Sequence, residues 1–378
     1  MSTLRLARVE TLVADNSVFV RLTEENGLQG IGESTAFVYP LAVVEVIKAL
    51  EPYLIGADAL DVEANWSRMY RAAGWRGITL GGALSAIDQA MWDLRGRLWE
   101  EPVWQLLGGR SRRGVRAMKV IGKGTLEEVV ANAVEAQNDG YTAIKVILFQ
   151  DEHHKLRHAE QIAELVGRIA AIRDAVGNRI DIGVELHRNM HPGSAVTLIK
   201  ELEKFRPLFV EDPVPPDSSF AFADVSSKTQ TPMAAGERNT TIYEFREYIE
   251  RGGVAFVRPD VGVAGGFTHV RKICAMAEAH HQGVIPHAVP SGPVATMSHV
   301  HLGISIPNWE VQEHVEQDVG PKSLMTDRVA ELKGGYLFPF DDEPGLGIRL
   351  NDAQITRMSV GVTIVDPALR EDGSVAIR

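Results

Sequence analysis

The spacing of apolar and polar residues divides the chain into two parts near residue 112. Residues 3–34 alternate apolar and polar side chains, and a Glu-Asn-Gly sequence at 25–27 supplies a turn between strand segments. Between residues 41 and 98 the apolar positions recur at helical spacing instead. The pattern predicts an antiparallel sheet followed by helices, which together form an α+β domain over residues 1–112.

Beyond residue 112, short apolar runs alternate with helical segments eight times. The runs end at residues 121, 148, 185, 211, 237, 258, 287 and 313. Most of them are apolar almost throughout, which is typical of parallel strands with both faces covered. We predict an α/β fold, a (β/α)8-type or modified TIM barrel over residues 113–330, with a tail over 331–378 that returns to the N-terminal capping domain. A doubly wound open sheet is the alternative, but no glycine-rich phosphate loop follows an early strand.

Composition and charge limit the kinds of partner. The 378 residues are 45% hydrophobic and 24% charged, as in ordinary soluble globular proteins. The formal net charge of −11 argues against affinity for nucleic acid or for an anionic membrane surface. Cys274 is the only cysteine, which excludes an intrachain disulfide, and no apolar run reaches the ~18 residues of a membrane span. We expect a soluble, cytoplasmic protein that acts on a small molecule.

Ionisable residues stand at the ends of most of the predicted barrel strands. These ends lie on one face of a parallel barrel, where barrel enzymes carry their active sites. The residues are Lys145, Glu185 with His187, Glu211, Glu237, Asp260, His287 and Glu313. Each of them alone has an ordinary structural explanation, such as a helix cap or a core histidine. One ionisable residue per strand end, repeated around the barrel, predicts an active site.

Three of these residues suggest a metal site. The intervals from Glu185 to Glu211 and from Glu211 to Glu237 are both 26 residues, about one strand and one return helix. Carboxylates are hard oxygen ligands, which suit Mg²⁺, and Mn²⁺ would also fit. A divalent metal beside a lysine and a His/Asp pair can stabilise the negative charge that forms when the α-proton of a carboxylic acid leaves.

The sequence resembles the enolase superfamily, and within it the acid-sugar dehydratases of the mandelate racemase subgroup. The resemblance covers nearly the whole chain and is carried by AIDQAMWDLRGRLWEEPVWQLLGG, FVEDPV, AAGER, VRPDVGVAGGFTHVRK and IPHAVPSGPV. It implies a capped barrel and a symmetric homo-oligomer, often an octamer. It also implies Mg²⁺-dependent dehydration of a sugar acid, of the D-gluconate or D-galactonate type, to the 2-keto-3-deoxy acid through an enediolate.

The resemblance also implies a role for each residue at the strand ends. The three glutamates would be the metal ligands. His287, paired with Asp260, would be the general base that takes the C2 proton. His187 would be the general acid that protonates the departing C3 hydroxyl group. Lys145 and Glu313 would contact the substrate carboxylate and its developing charge.

Two departures from the subgroup's pattern limit which of its reactions this chain is expected to catalyse. Racemases of the subgroup carry Lys-x-Lys on the second strand, whereas residues 145–147 are Lys-Val-Ile, so the second lysine base is missing. Mannonate dehydratases carry a tyrosine after that strand, and residues 149–179 contain none. A 2R substrate, from which His287 takes the proton, is therefore favoured. The alternatives are a D-mannonate dehydratase, an acid-sugar epimerase of the same superfamily, or a protein that binds metal and sugar acid with little or no turnover.

Residues around the predicted site are candidates for contacts with the substrate. Arg188 and Asn189 stand where the related dehydratases usually have glycine and arginine. Arg188 is a candidate for substrate binding, although its arginine side chain lies one position earlier than in those relatives. His191 follows the third strand closely and matches a histidine of some family members. Trp75 and Arg76 lie in a loop of the capping domain that, by resemblance, closes over the barrel.

A histidine-rich segment follows the second strand. His153, His154 and His158 lie in the sequence DEHHKLRH, and three histidines so close together can indicate a second metal site. We interpret the segment instead as a polar loop over the mouth of the barrel, from which one histidine could touch the substrate.

Overall fold

An antiparallel sheet of three strands opens the chain. The computed structural model describes residues 3–251, 253–288, 290–315, 319–361 and 363–377. The strands lie side by side in the sheet in the same order as in the chain. They are β1 (Leu6–Ala14), β2 (Ser17–Glu24) and β3 (Gln29–Ser34). The sheet predicted from the alternating pattern is thereby confirmed.

Four α-helices follow the sheet. They are α1 (Pro40–Leu50), α2 (Val62–Ala72), α3 (Ile78–Trp99) and α4 (Val103–Leu106). Helix α3 is buried along most of its length, as expected for a helix with few polar positions on any face. It packs closely on β3, because a Cβ at Gly30 or Gly32 would collide with the backbone oxygens of Ala90 and Ala86.

Eight parallel strands form a closed barrel. They are β4 (Val115–Ile121), β5 (Ala143–Ile147), β6 (Asp181–Glu185), β7 (Phe209–Glu211), β8 (Met233–Ala235), β9 (Phe256–Val257), β10 (Gly283–Val284) and β11 (Gln312–His314). Each strand pairs with the next from β4 to β10, and β11 pairs with β4. A parallel bridge between Val284 and Trp309 closes the remaining gap. The predicted (β/α)8-type barrel is confirmed.

In the described part of the chain, seven α-helices cover the outside of the barrel. They are α5 (Leu126–Asn138), α6 (His158–Val176), α7 (Pro192–Leu202), α8 (Ser219–Ser227), α9 (Ile242–Arg251), α10 (Gly266–Ala279) and α11 (Pro293–Ser305). The first of them begins with a capping box, in which Thr125 and Glu128 bond each other's backbone N–H groups. None of the described helices is both long and apolar enough to cross a membrane.

The tail after the barrel contacts both parts of the protein. Its strands β12 (Glu331–Lys333) and β13 (Tyr336–Phe338) form a hairpin, and β13 pairs with β4 in the antiparallel direction. The chain then reaches the N-terminal region, where the N–H of Val103 donates to the carbonyl of Gly345 at 2.9 Å. A last short helix, α12 (Asp352–Ile355), follows. The domain boundaries at residues 112 and 330 stay predictions.

The end of β3 connects the N-terminal sheet to the barrel. The buried carboxylate of Glu33 accepts hydrogen bonds from the backbone N–H groups of Gly292, Val294 and Ala295, at 2.7, 3.1 and 2.9 Å. These N–H groups begin α11, where no earlier residue of the helix can accept from them and where a negative charge suits the helix dipole. Helix α11 is thereby fixed to the sheet of the first domain.

Candidate active site

Two layers of side chains fill the interior of the barrel. One layer is an apolar floor made of Met118, Ala143, Phe209, Ala234, Ile285 and Val311. Inward-facing residues of a strand are two positions apart, so on four strands the next inward residue is ionisable. These residues are Lys145, Glu211, His287 and Glu313. The sequence therefore places charged groups directly above the apolar floor, at the C-terminal end of the barrel.

Glu185, Glu211 and Glu237 form a buried cluster, which we call the glutamate triad. One carboxylate oxygen of each residue lies within 4.8 Å of those of the other two. The parallel register of β6 and β7 places Glu185 directly beside Glu211. Three buried carboxylates at this spacing repel one another unless cations neutralise them. As a set of hard oxygen donors the triad suits a divalent cation such as Mg²⁺.

Lys145 is a buried cation within this cluster. Its Nζ lies 3.1 Å from Glu185 Oε2 and 3.1 Å from Glu211 Oε2, and it also forms an ion pair with Glu313. Although burial by itself lowers the pKa of Lys145, the carboxylates of Glu211 and Glu313 raise that pKa above its ordinary value. The lysine is therefore a permanent positive charge.

Arg258 is a second buried cation, which the sequence analysis did not identify. Its side chain is fully buried, forms an ion pair with Glu211, and places one terminal nitrogen 3.2 Å from Glu313 Oε1. Its guanidinium lies 5.7 Å from the centre of the Phe209 ring in the apolar floor. The sequence does contain a signal for it. Arg258 lies two residues before Asp260, and inward-facing residues of a strand recur at that interval, so Arg258 could have been predicted to face the barrel interior.

The charges of the cluster do not balance. Three buried cations, Lys145, Arg188 and Arg258, contact five buried carboxylates. The carboxylates are those of Glu185, Glu211, Asp212, Glu237 and Glu313. With all five ionised, two negative charges are left over among these groups, and uncompensated buried charge is costly. One divalent cation would restore neutrality, so the residues present fit a divalent metal.

The pKa values of two carboxyl groups reflect this surplus of negative charge. Burial, with the nearby carboxylate of Glu185, raises the pKa of Glu211 to about 8. Burial, with the carboxylate of Glu237, raises the pKa of Asp212 to about 7. Glu237 behaves differently, because the nearby positive charges, Arg188 and His287 foremost with His187 and Lys145, together outweigh its burial and hold its pKa well below the ordinary value.

His287 faces the glutamate triad from the segment that follows β10. Its Nδ1 lies 2.9 Å from Asp260 Oδ2, and its Nε2 lies 3.6 Å from Glu237 Oε2. Burial by itself lowers the pKa of His287, but the hydrogen bond to Asp260 and the nearby carboxylates of Glu237 and Glu313 together outweigh burial and raise it. Asp260 is in turn held by Thr35, a residue of the N-terminal domain. The hydroxyl group of Thr35 donates a hydrogen bond of 2.9 Å to Asp260 Oδ1. The imidazole is thus oriented by its Nδ1, with Nε2 turned towards the triad.

His187 and Arg188 lie on a tight turn after β6. Both have left-handed backbone angles, with φ of 51° and 67°. Glu185 Oε1 accepts from the N–H of His187 at 2.7 Å, and the N–H of Arg188 donates to the carbonyl of Asp212 at 2.6 Å. The turn directs the guanidinium of Arg188 into the cluster, where it pairs with Glu237 and lies 3.4 Å from Asp212 Oδ2.

The other predicted substrate contacts lie further out. His191 is an exposed residue that immediately precedes α7. The side chain of Trp75 is 88% exposed. The guanidinium of Arg76 lies 4.0 Å from the centre of the Tyr70 ring and donates to the carbonyl of Ala73 at 2.8 Å. Among the described residues, no hydrogen bond or ion pair joins these three side chains to the triad, and their contact with substrate stays a prediction.

The histidine-rich segment is a short 3₁₀ helix at Asp151–Lys155 above the barrel. His153 is buried, and its Nδ1 accepts from the N–H of Gln150 at 2.9 Å. His154 stacks on Phe149 with 5.7 Å between the ring centres, and lines a small cavity together with His187. Among the described residues the glutamate triad is the one group with the geometry of a metal site.

Comparison with known proteins agrees with this architecture. Residues 4–108 match the family model of the mandelate racemase / muconate lactonizing enzyme N-terminal domain, and residues 128–354 match the enolase C-terminal domain-like family. A crystal structure of an enolase from Agrobacterium radiobacter, with Na and L-malate bound, superimposes with a TM-score of 0.93 at 24% identity. It covers 99% of this chain and 100% of its own. A member of the enolase superfamily from Salmonella Typhimurium gives a TM-score of 0.87 at 29% identity and covers 94% and 98%.

Several curated relatives carry the name D-galactonate dehydratase, and two of them illustrate the similarity. The protein from Verminephrobacter eiseniae is 34% identical over 358 residues, which cover 90% of this chain and 91% of the relative. The protein from Cronobacter sakazakii is 33% identical over 368 residues, which cover 95% and 96%. With both family models matching and identity above 30% along nearly the full length, the chain belongs to the mandelate racemase / muconate lactonizing enzyme family of the enolase superfamily.

Proposed function

We propose that this protein is a Mg²⁺-dependent hydro-lyase that dehydrates a sugar acid of the D-galactonate or D-gluconate type. The observation that carries the proposal is the placement of an Asp-oriented histidine, His287, with its Nε2 3.6 Å from a member of the glutamate triad. This arrangement puts a base beside a site that suits a metal. The relatives named D-galactonate dehydratase support the choice of a sugar acid, and D-galactonate is the first candidate among them.

The glutamate triad would hold the metal. When bound there, Mg²⁺ would supply positive charge to the substrate carboxylate and lower the cost of the negative charge that develops on it. Lys145 and Arg258 contribute permanent positive charge to the same cluster. In a buried site such fixed charges act strongly, because little water is present to screen them.

His287 would act as the general base at C2. Its Nε2 takes the C2 proton, and the positive charge that forms on the ring is stabilised by Asp260, which bonds Nδ1 at 2.9 Å. Thr35 holds Asp260 in place from the N-terminal domain. The electron pair released from the C2–H bond moves towards the substrate carboxylate, near which Lys145 and Glu313 lie in our proposal.

His187 would act as the general acid at C3. It lies on the turn after β6, close enough to Glu237 to lower the pKa of that carboxyl group. Its proton goes to the departing C3 hydroxyl group, which leaves as water while the C3–O bond breaks. The resulting enol then takes a proton at C3 and becomes the 2-keto-3-deoxy acid. The overall reaction removes one water molecule and requires no oxidant or reductant.

A substrate screen tests the proposal. The full-length protein is incubated with Mg²⁺ and a panel of C5 and C6 aldonates and aldarates, and 2-keto acid products are detected by the absorbance of their semicarbazones. We expect turnover of a 2R aldonate, and none when a chelator replaces Mg²⁺. If Mg²⁺ binds but no acid of the panel is consumed or exchanges its C2 proton, the dehydratase proposal is wrong and a binding protein without turnover is favoured.

The variant His187→Asn distinguishes the role of the general acid from that of the general base. We expect dehydration to fall by about 10²-fold or more, because assistance to the leaving hydroxyl group is lost. Exchange of the substrate C2 proton with solvent deuterium should persist, since His287 is intact. Both rates are measured in D2O by proton NMR. Loss of exchange together with dehydration would remove His187 from the role of general acid.

A further inference from the structure

We propose that Arg188 is a built-in counter-cation of the metal site. In the metal-free protein its guanidinium pairs with both Glu237 and Asp212. On binding of a divalent cation it gives up Glu237 to the metal and keeps Asp212. The inference rests on the metal site of the proposed function but on neither the substrate nor the reaction.

The contacts of Arg188 place it at the edge of the triad. Its side chain is buried, and the terminal nitrogen that pairs with Glu237 also lies 3.4 Å from Asp212 Oδ2. Glu237 belongs to the triad, whereas Asp212 does not. One nitrogen therefore connects a candidate metal ligand to a carboxylate that remains available after the ligand is taken by a metal.

The backbone holds Arg188 in this position. His187 and Arg188 both have positive φ angles, which are unfavourable for residues with a Cβ and are found mainly where surrounding contacts enforce them. Here the N–H of Arg188 donates to the carbonyl of Asp212 at 2.6 Å, and the side chain of Asn189 donates to the carbonyl of Leu186 at 2.8 Å. With the backbone held at both positions, a change of partner by Arg188 requires only rotation of its side chain.

Charge explains why Arg188 both competes with the metal and stays in the cluster. A guanidinium paired with Glu237 occupies one oxygen of a candidate metal ligand, and its charge repels a second cation at short range. If Arg188 left the cluster altogether, five carboxylates would face two cations and one divalent metal, and one buried negative charge would remain. Keeping Arg188 on Asp212 gives neutrality. Arg188 therefore sets the affinity of the site for divalent cations below the value that the three glutamates would reach without it.

Calorimetric titration of the full-length protein with MgCl₂ tests this inference. We expect Arg188→Gln to bind Mg²⁺ at least about tenfold more tightly than the wild-type protein, because both the competitor and the repulsion are removed. Arg238→Gln is the matched control. Its Nε lies 3.3 Å from the same carboxylate of Glu237, but its side chain is half exposed and screened by water. We expect a change of less than about threefold for this control.

Asp212→Asn tests the second partner. Without this carboxylate Arg188 has only Glu237, so we expect Mg²⁺ affinity to fall by about tenfold.

Thermal unfolding adds a readout that distinguishes the proposal from a purely structural role. Arg188→Gln should lower the melting temperature of the metal-free protein, yet Mg²⁺ should raise that temperature by more than it does in the wild-type protein. A purely structural role would lower the melting temperature with and without Mg²⁺ and leave the affinity unchanged.

Two results would overturn the inference. If the wild-type protein binds Mg²⁺ and Arg188→Gln binds it equally or less tightly, Arg188 does not compete with the metal, and the proposed function is unaffected. If neither protein binds Mg²⁺, the metal site itself is wrong and the proposed function falls with it. Should Arg188→Gln fail to fold, Arg188→Gly, which suits a φ of 67°, takes its place in the same titration.

Discussion

The variant His287→Asn is expected to lose the release of the C2 proton and, with it, all of the reaction that follows. The side chain of asparagine can keep a hydrogen bond to Asp260 but has no nitrogen that accepts a proton near neutral pH. General bases contribute about 10² to 10⁴ to enzyme rates, so we expect turnover to fall by about 10³-fold or more. Exchange of the C2 proton with solvent deuterium, followed by proton NMR, should fall by the same factor.

A matched control separates this effect from the loss of any histidine. His280 is an exposed residue at the end of α10, and its Nδ1 lies 2.9 Å from the carbonyl of Met276 on the same helix. His280→Asn should leave both turnover and exchange within about twofold of the wild-type values. Exchange that persists in His287→Asn would show that another group takes the C2 proton.

The variant Glu211→Gln is expected to weaken the binding of Mg²⁺ by about 100-fold. Glutamine keeps the size of the side chain and one oxygen, but it removes a negative charge from the centre of the triad, where Glu211 pairs with both Lys145 and Arg258. Ligand charge is a main determinant of affinity for hard cations. Calorimetric titration with MgCl₂ measures the loss directly.

The same variant should lose the stabilisation that Mg²⁺ gives to the folded protein. A ligand present at about 100 times its dissociation constant stabilises a protein by about 2.7 kcal/mol. At that concentration Glu211→Gln would be only half saturated, and the gain would be about 0.4 kcal/mol. The control is Glu203→Gln, at the end of α7, where the carboxylate accepts from the N–H of Gln230 outside the triad. Equal stabilisation of both variants by Mg²⁺ would remove Glu211 from the ligand set.

Periodicity was enough to predict the barrel and the positions of its charged layer. Alternation of apolar runs and helical segments gives the order of elements, and the interval of two residues along each strand gives the inward-facing positions. Lys145 and Glu211 could be placed this way because each lies two residues after a member of the apolar floor. The ends of the strands were predicted less accurately. The run ending at residue 287 contains only the two-residue strand Gly283–Val284, since pairing with β9 ends there.

Other features depend on interactions that no local pattern reveals. The hairpin of β12 and β13 pairs with β4, a contact between segments more than 200 residues apart, whereas the sequence indicated only a tail returning to the first domain. The orientation of Arg188 depends on a left-handed backbone angle that its residue type disfavours. Arg258 lies in an apolar run, and its role as a buried partner of Glu211 becomes visible only when β7 and β9 are placed in one barrel.

The central claim is that this site removes a proton from C2 and a hydroxyl group from C3 of a sugar acid, and one measurement tests it most directly. D-galactonate is incubated in D2O with the wild-type protein and Mg²⁺, and the reaction is followed by proton NMR. We predict formation of the 2-keto-3-deoxy acid with one solvent deuterium at C3, and no product when a chelator removes the metal. If D-galactonate and the other 2R aldonates keep both their C2 proton and their C3 hydroxyl group while Mg²⁺ is bound, the account is contradicted.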